Sequence, residues 1–353
     1  MKKISLIILV LIFQIFVSCS GSKNTSNQNE PITYPSPPDE PRIQYLTSFS
    51  KSSDFSGEQS FFTSFITGEE EPLPILKPYG LAVGKKKIFV CDSQLGGLEI
   101  MDMDDGTFGY FIPEDRGKLK QPINCFTDDA GYLYVADPER GQVIIFNPDL
   151  EYYAEIGDST MIRPTDVFVT DRQIFVNDIK KQSVFVYDRS SRKYLKSIPS
   201  SSSDKNKLFS PTNIYVYSDN IYISDIGDSK IKVYSLDGEY IRTIGTIGMA
   251  PGKFSRPKGI AVDKDENLYV VDAGFENVQI FDKEGKLLMY FGGSYSKSGD
   301  MWLPAKVVID YNNLDFFKDY VDPSFNLKYL IFVTNQFGPD KISVYGFISN
   351  KKD

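Results

Sequence analysis

Histidine is absent from this 353-residue sequence, and tryptophan and cysteine are nearly absent, with one and three residues respectively. Without histidine, the chain cannot use a Ser-His-Asp or Cys-His catalytic arrangement, a histidine-ligated zinc ion or a histidine proton shuttle. Apart from Cys19, the sequence has only Cys91 and Cys125. In an exported protein these two could form a disulfide, or they could remain buried free thiols, which is the interpretation we favour.

An excess of positive charge is also lacking. The chain has 39 basic and 47 acidic residues and a net charge of −8. Because binding to nucleic acids depends on neutralising phosphates, we expect no nucleic-acid partner. An acidic chain also gains nothing from anionic lipid headgroups, so attachment to a membrane would require a lipid group on the protein.

Hydrophobic runs long enough to span a membrane are lacking as well. The apolar run at residues 4–17 is shorter than the roughly 20 residues that a bilayer requires, and it follows Lys2 and Lys3. This pattern is typical of a signal peptide that is removed after export. An ordinary secretory signal would be cut near the end of this run.

The end of that run, "FVSCSGS", resembles a bacterial lipoprotein signal. The resemblance implies removal of residues 1–18 and lipidation of Cys19, although Phe16 replaces the leucine that is usual at its position. Such a lipid would anchor the protein stably to a membrane. Ser20 favours the outer membrane if the cell is Gram-negative, so we expect an exported, lipid-anchored protein of the cell envelope.

Residues 19–41 are polar and contain five prolines. A segment of this composition cannot bury an apolar core. We therefore predict that it is a disordered tether and that the folded domain covers residues 42–349.

A repeat of 42–47 residues fills most of that domain. Each copy starts with a proline and a short apolar strand, and the six prolines are Pro78, Pro122, Pro164, Pro211, Pro257 and Pro304. A second apolar strand then ends on an acidic or amide residue, and these residues are Asp92, Asp137, Asp178, Asp225, Asp272 and Asn335. A third apolar strand and, in most copies, a more polar fourth strand follow.

Four strands in a period of 40–50 residues indicate a β-propeller. The second and third strands are almost continuously apolar, as expected where both faces of a sheet are covered by neighbouring blades. Six copies predict an all-β, six-bladed propeller of four-stranded antiparallel blades, which start near residues 76, 120, 162, 209, 255 and 302.

The fifth copy, "RPKGIAVDKDENLYVVDAGFENVQIFDKEGKLLMYFG", resembles an NHL repeat, and the resemblance extends from Pro78 to Phe347. It implies a six-bladed propeller. The sixth copy differs, because 31 residues separate Pro304 from Asn335. We expect the aromatic-rich insertion at 311–328 to form either a self-packed flap over the channel or a surface for a partner.

The last copy lacks a fourth strand, whereas "RIQYLTSF" precedes the first copy. We predict that residues 42–49 pair with residues 341–347 and close the ring, which removes two exposed sheet edges. Residues 50–75 would connect this strand to the first blade and contain a short amphipathic helix around Phe61 and Phe65.

The acidic or amide residue that ends each second strand has two interpretations. An aspartate at this position can accept hydrogen bonds from the backbone of the following turn and fix the path into the third strand. Alternatively, a ring of such residues could bind cations. Because the residue recurs in every copy, we favour structural turn caps.

A different set of residues is expected at the mouth of the channel, two positions after each proline. Four of them are candidates for binding, namely Asn124, Asp166, Asn213 and Lys306; the other two are glycines. Oxygen ligands from consecutive blades could hold Ca²⁺ or another divalent cation, and a resemblance to six-bladed lactonases supports this. Short polar residues also suit a tight turn, so we expect no cofactor.

Two functions fit these features. The favoured one is a monomeric, non-enzymatic binding or scaffold module for a protein or glycan partner in the cell envelope, because no catalytic constellation is present. The alternative is a hydrolase or lyase that resembles the metal-dependent lactonases and lyases, although those lyases rely on histidine ligands.

Overall fold

The structure, a computed structural model, describes residues 30–56, 71–157, 161–200 and 206–351. The chain divides into two units, Met1–Pro31 and Ile32–Asp353. In the first unit only Glu30 and Pro31 are described, and neither belongs to a helix or strand. The predicted signal peptide, Cys19 and the helix around Phe61 lie outside the described residues.

The second unit is a six-bladed propeller of antiparallel sheets, as predicted. Blades 1 and 2 consist of β3 (Pro78–Gly84), β4 (Lys87–Asp92), β5 (Gly97–Asp102) and β6 (Thr107–Phe111), followed by β7 (Asn124–Thr127), β8 (Leu133–Asp137), β9 (Gln142–Phe146) and β10 (Tyr152–Ile156). Blade 3 consists of β11 (Pro164–Val169), β12 (Gln173–Asp178), β13 (Ser183–Asp188) and β14 (Tyr194–Ile198). Blades 4 and 5 consist of β15 (Pro211–Tyr217), β16 (Asn220–Asp225), β17 (Lys230–Ser235) and β18 (Tyr240–Ile244), followed by β19 (Pro257–Val262), β20 (Leu268–Asp272), β21 (Asn277–Phe281) and β22 (Leu287–Gly292).

Blade 6 joins the two ends of the propeller. It contains β23 (Pro304–Asp310), β24 (Phe325–Asn335) and β25 (Ile342–Asn350), and β2 (Ile43–Phe49) pairs with β25 as its outer strand. The register runs from Ile43 opposite Phe347 to Phe49 opposite Ile342. The predicted closure of the ring is therefore confirmed.

A fifth strand, β1 (Thr33–Tyr34), extends this sheet by pairing with the start of β2. The expectation of a disordered tether up to residue 41 is therefore wrong for these two residues. Thr33 is buried, and the Tyr34 hydroxyl donates a hydrogen bond of 2.8 Å to the carbonyl of Gly299. The aromatic ring and this hydrogen bond dock a segment that polarity and proline content had indicated to be solvated.

The first strands of neighbouring blades contact one another around the axis, and the circle closes where β23 meets β3. Six clusters of buried apolar residues lie between adjacent blades. This arrangement explains why the second and third strands are apolar on both faces, since each sheet is covered by two neighbours. Side chains at the start of the first strands consequently face the axis.

The insertion of blade 6 contains α2 (Leu314–Phe317) and the 3₁₀ helix η2 (Lys318–Tyr320). Phe317 is buried against Phe49 and Phe332, and Phe316 stacks on Phe55 of α1 (Ser52–Ser56). Phe316 and Phe317 thus pack where blades 6 and 1 meet, so these two rings do not form the expected flap over the channel. A second short 3₁₀ helix, η1 (Asp115–Gly117), lies between blades 1 and 2.

Within the described residues, no helix has the length and apolar character needed to cross a membrane. Cys91 and Cys125 are both buried and free. Burial, followed by the neighbouring thiol of Cys125, raises the pKa of Cys91 well above its usual value.

Candidate functional site

A layer of buried polar side chains crosses the axis of the propeller. The Lys306 ammonium group lies 2.8 Å from the Asp166 carboxylate, and the Asn213 amide donates to the same carboxylate oxygen at 3.2 Å. The Asn124 amide donates to the carbonyl of Thr165 at 2.7 Å, beside Asp166. The structure thus brings three of the four sequence candidates into direct contact and places the fourth next to them.

Local irregularities in the first strands direct these side chains to the axis. The register against the second strand shifts between Pro164 and Asp166 and again between Pro211 and Asn213, and such bulges re-aim side chains. Gly259 allows blade 6 to approach, because a Cβ atom there would lie 2.6 Å from the Cα atom of Lys306. The glycines at this position of the repeat are therefore required by close packing.

The polar layer leaves few groups free to react. Both oxygens of Asp166 accept hydrogen bonds, since the backbone amides of Val167 and Ile214 donate in addition to Lys306 and Asn213. Within the described residues, the side-chain oxygens of Asn124 and Asn213 are buried without a hydrogen-bond donor. These two acceptors could receive hydrogen bonds from a water molecule or a ligand.

The donor set does not fit a divalent cation. The Lys306 ammonium group occupies the position beside Asp166 where a hard cation would bind, and like charges repel strongly in a buried environment. No cluster of three or more histidine, cysteine, aspartate or glutamate residues with metal-binding geometry exists in the described ranges.

A cavity of about 300 Å³ lies next to Lys306 along the axis, and we name it the channel cavity. One wall is formed by Phe126, Phe168 and Tyr215 from blades 2–4, whose ring centroids are 4.8 and 4.9 Å apart. The corresponding residues of blades 1 and 6 are Ala82 and Val308. The cavity exists because large and small residues occupy different sectors of the ring.

A second cavity, of about 620 Å³, lies on the other side of the polar layer, where the chain enters the first strands. We name it the mouth cavity. Its walls include Tyr79, Thr165 and Thr212, each one position after the proline of its repeat, and the basic residues Arg163 and Lys180.

Lys258 occupies the equivalent position in blade 5 and is 3% exposed. Its ammonium nitrogen lies 4.8 Å from the centroid of the Tyr79 ring. Burial, followed by repulsion from Arg256 and Lys77, lowers its pKa to about 7.

The five predicted aspartate caps have similar surroundings. Asp92, for example, accepts hydrogen bonds from the backbone amides of Leu76 and Lys77 before the first strand, and from Gln94 and Leu95 after the second strand. Each aspartate thus connects the loop that enters its blade with the following turn. The equivalent residues are Asp137, Asp178, Asp225 and Asp272.

Asn335 plays a related role in blade 6 with different groups. Its amide donates to the carbonyl of Asp340 and to the hydroxyl of Ser343, and its oxygen accepts from the backbone amide of Trp302.

Two buried charged residues beside these caps were not identified from the sequence. Lys232 forms a buried ion pair of 2.9 Å with Asp225. Glu99 lies beside Asp92, and burial, followed by the charge of Asp92, raises the pKa of Glu99 to about 10. In the sequence, the signal for both was a charged residue inside an apolar third strand, "GLEIMD" and "KIKVYS".

Comparisons with known proteins agree with the fold. Residues 196–346, from the last strand of blade 3 into β25, match the DUF5128 family model, which is described as a 6-bladed beta-propeller. No curated protein matches the chain. The NHL-repeat assignment stays a prediction.

Several solved structures are similar to this one. A structural genomics protein of unknown function from Bacteroides thetaiotaomicron is 13% identical, with a TM-score of 0.59, over 87% of this chain and 76% of that chain. A gluconolactonase from Xanthomonas campestris is 14% identical, with a TM-score of 0.55, over 90% and 97%. A catalytically inactive virginiamycin B lyase from Staphylococcus aureus, solved with quinupristin, is 12% identical, with a TM-score of 0.54, over 77% and 95%. At such low identities, these likenesses show a shared propeller fold and nothing about chemistry.

Proposed function

We propose that this chain is an exported binding protein that receives part of a protein or glycan partner in the axial channel of its propeller and catalyses no reaction. The ion pair between Lys306 and Asp166 carries this proposal. It neutralises the one buried carboxylate of the polar layer, whereas the cavities on both sides of the layer stay open. The Asp166 carboxylate is therefore not free to act as a nucleophile or a general base, whereas the cavities beside it offer binding surfaces.

The channel cavity supports a binding role through its aromatic wall. Phe126, Phe168 and Tyr215 are half-buried, so their rings offer apolar area to a ligand. Aromatic side chains supply large contact areas at the loss of little conformational freedom. The buried oxygens of Asn124 and Asn213 add hydrogen-bond acceptors nearby.

A metal-dependent hydrolase or lyase is the competing function. The gluconolactonase and virginiamycin B lyase structures support it through fold alone. The lyase structure is that of a variant inactivated by replacing a histidine with alanine, whereas this chain contains no histidine. The Lys306 ammonium group lies 2.8 Å from Asp166, where a metal ion would bind, and its positive charge counts against a cation at that carboxylate.

We further propose that the protein is held at a membrane of the cell envelope by a lipid on Cys19, in agreement with the short signal-like segment that precedes it. Metabolic labelling with an alkyne fatty acid should label the wild-type protein and leave Cys19→Ala unlabelled and released from membranes. Equal labelling of both proteins would contradict the anchor.

Capture from an envelope extract tests the binding proposal. The full-length protein, purified in detergent and immobilised, is exposed to extract that has been treated with protease or with periodate, so that the class of a captured partner is known. Phe168→Ala removes part of the aromatic wall, and Val308→Phe fills the cavity. Tyr153→Ala serves as a control, because Tyr153 is 52% exposed on the outer strand of blade 2.

Capture that is reduced by both channel variants and unchanged by Tyr153→Ala supports the proposal. Metal analysis of the same preparations tests the alternative. A stoichiometric, tightly bound metal that is lost in Asp166→Ala, together with capture that ignores the channel variants, would favour the hydrolase.

A further inference from the structure

The two ends of the propeller axis differ in charge. The residues that line the mouth cavity include Arg163 and Lys180 and no acidic residue. The channel cavity extends towards the opposite end, since its walls include Thr127 and Asp129, where the first strand of blade 2 ends and the chain turns. The six turns that join first to second strands at that end contain ten acidic and five basic residues. The open end of the channel cavity therefore favours a positively charged partner.

Asp129 at this end carries an unpaired charge. It is exposed, lines the channel cavity and forms no ion pair with any described residue. Two basic residues contact the same turn, but both bind other groups. Arg189 pairs with Asp128 at 2.7 Å. Lys85 donates a hydrogen bond of 2.8 Å to the carbonyl of Ala130. The Asp129 carboxylate is thus available to a cation that comes from outside the chain.

The inner part of the channel cavity is apolar. The rings of Phe126, Phe168 and Tyr215 form one wall, and aliphatic residues of blades 1 and 6 form others. Lys306 lines the inner end, but its charge is neutralised by Asp166 at 2.8 Å. A ligand would therefore place an apolar group inwards and a positive charge outwards.

We propose that the channel cavity receives an apolar side chain of a protein partner, and that a positively charged group next to this side chain pairs with Asp129. The proposal rests on the proposed function, since it selects a protein as the partner in the channel and states its chemistry. It requires no rearrangement of the polar layer, because the pair of Lys306 and Asp166 stays intact.

The walls of the cavity favour a protein side chain over a sugar. Apart from Asp129 and the paired Lys306, the polar side chains among the lining residues are those of Cys125, Thr127 and Tyr215. A sugar carries hydroxyl groups around its ring, and burial of hydroxyl groups without hydrogen-bond partners is costly. An apolar side chain avoids this cost, and an anchor that fills a pocket commonly dominates the binding energy of a protein interface.

Titrations of the full-length protein with three probes test the proposal. Phenylalaninamide carries an apolar side chain beside an ammonium group, N-acetylphenylalaninamide carries the same side chain without charge, and glucosamine is a positively charged sugar. Dissociation constants are measured by ligand-observed NMR at about pH 6, below the usual pKa of an α-amino group. The proteins are the wild type, Asp129→Asn, Asp171→Asn and Val308→Phe. Asp171 is the matched control, since it is an exposed aspartate in the equivalent turn of blade 3 and does not line the cavity.

We expect saturable binding of phenylalaninamide to the wild type and to Asp171→Asn. The N-acetylated probe should bind the wild type about 3- to 10-fold more weakly, the factor expected for an exposed ion pair beside aromatic rings. Asp129→Asn should weaken the binding of phenylalaninamide by the same factor and leave that of the N-acetylated probe unchanged. Val308→Phe should abolish the binding of both, because it fills the cavity.

Four results would overturn the proposal. They are the absence of saturable binding by the wild type, equal binding of the charged and N-acetylated probes, unchanged binding of phenylalaninamide by Asp129→Asn, and binding that persists in Val308→Phe. Glucosamine that binds as tightly as phenylalaninamide would also overturn it, because the site would then recognise a positively charged glycan.

The failure of this proposal can be distinguished from that of the proposed function by the capture assay. Capture that falls in Phe168→Ala and Val308→Phe but is unchanged in Asp129→Asn would keep the binding role of the channel and refute the role of Asp129.

Discussion

The ion pair between Lys306 and Asp166 provides the most direct test of the polar layer, through a double-mutant cycle. The two side chains are 9% and 0% exposed, and their charged atoms are 2.8 Å apart. Removal of one partner leaves a buried charge uncompensated, which costs about 3–5 kcal/mol in folded proteins. The single variants Lys306→Met and Asp166→Asn should therefore both lower the free energy of unfolding substantially.

The two losses should differ in size. In Lys306→Met, the Asp166 carboxylate keeps three N–H donors, from Val167, Asn213 and Ile214. The loss should consequently lie near the lower end, about 3 kcal/mol. In Asp166→Asn, Lys306 keeps no counter-ion among the described residues. The loss of free energy of unfolding should therefore lie near the upper end of the range of about 3–5 kcal/mol. The double variant lacks both charges of this pair and should recover a large part of the stability.

Urea unfolding, followed by circular dichroism and by the fluorescence of Trp302, supplies the three differences in free energy. A cycle at Lys196 and Asp237 is the control, because this pair is 3.6 Å apart with the aspartate 94% exposed, and such pairs contribute about 1 kcal/mol or less. The reasoning is refuted if the Lys306–Asp166 coupling is no larger than the control coupling. It is equally refuted if the single losses simply add in the double variant.

Three further predictions concern closure of the ring and the other buried charges. Phe49→Ala should lower the free energy of unfolding by about 3–5 kcal/mol, since Phe49 is 1% exposed between blades 6 and 1; a loss in urea unfolding no larger than that of exposed Tyr153→Ala would contradict its role in closure. The pKa of Glu99 is about 10, against an ordinary value of 4.5. Between these values the folded protein keeps a proton that the unfolded chain releases. The contribution of Glu99 to the free energy of unfolding therefore falls as pH rises from about 5 to 10, by at most about 1.4 kcal/mol per pH unit. Glu99→Gln should remove that slope from melting curves recorded across this range, and an unchanged slope would show that Glu99 titrates normally. Lys258, which faces Arg256, Lys77 and the neutral Tyr79, should give a pH dependence of the opposite sign. The unfolded chain holds the Lys258 proton to higher pH than the folded protein, so the contribution of Lys258 to the free energy of unfolding rises from about pH 7 to 10.5. Lys258→Met should therefore be more stable than the wild type at pH 7 and should lack this rise in its melting curves.

The fold could be predicted because its determinants are local and repeated. The entering prolines and the aspartate caps recur in each copy, and the apolar second and third strands require covered faces. Closure by residues 42–49 followed from a missing fourth strand. The docking of Tyr34 could not be predicted, because its partner Gly299 lies in a distant loop and the surrounding composition is that of a solvated segment.

The candidate site was predictable only in part. Counting from the prolines located Asn124, Asp166, Asn213 and Lys306 on the axis, but the sequence did not show that Lys306 neutralises Asp166, since this contact crosses the ring. Lys258 was missed for the same reason. Its burial depends on Tyr79, which comes from a blade that is not adjacent to its own.

These observations indicate how a repeated architecture acquires a specific site. A ring with the same residue in all six blades would place six like groups around the axis, and like charges there would repel one another. The chain avoids this by keeping prolines and caps regular while varying the positions that face the axis. One lysine opposes one aspartate in the polar layer, and three aromatic residues oppose small ones in the channel cavity.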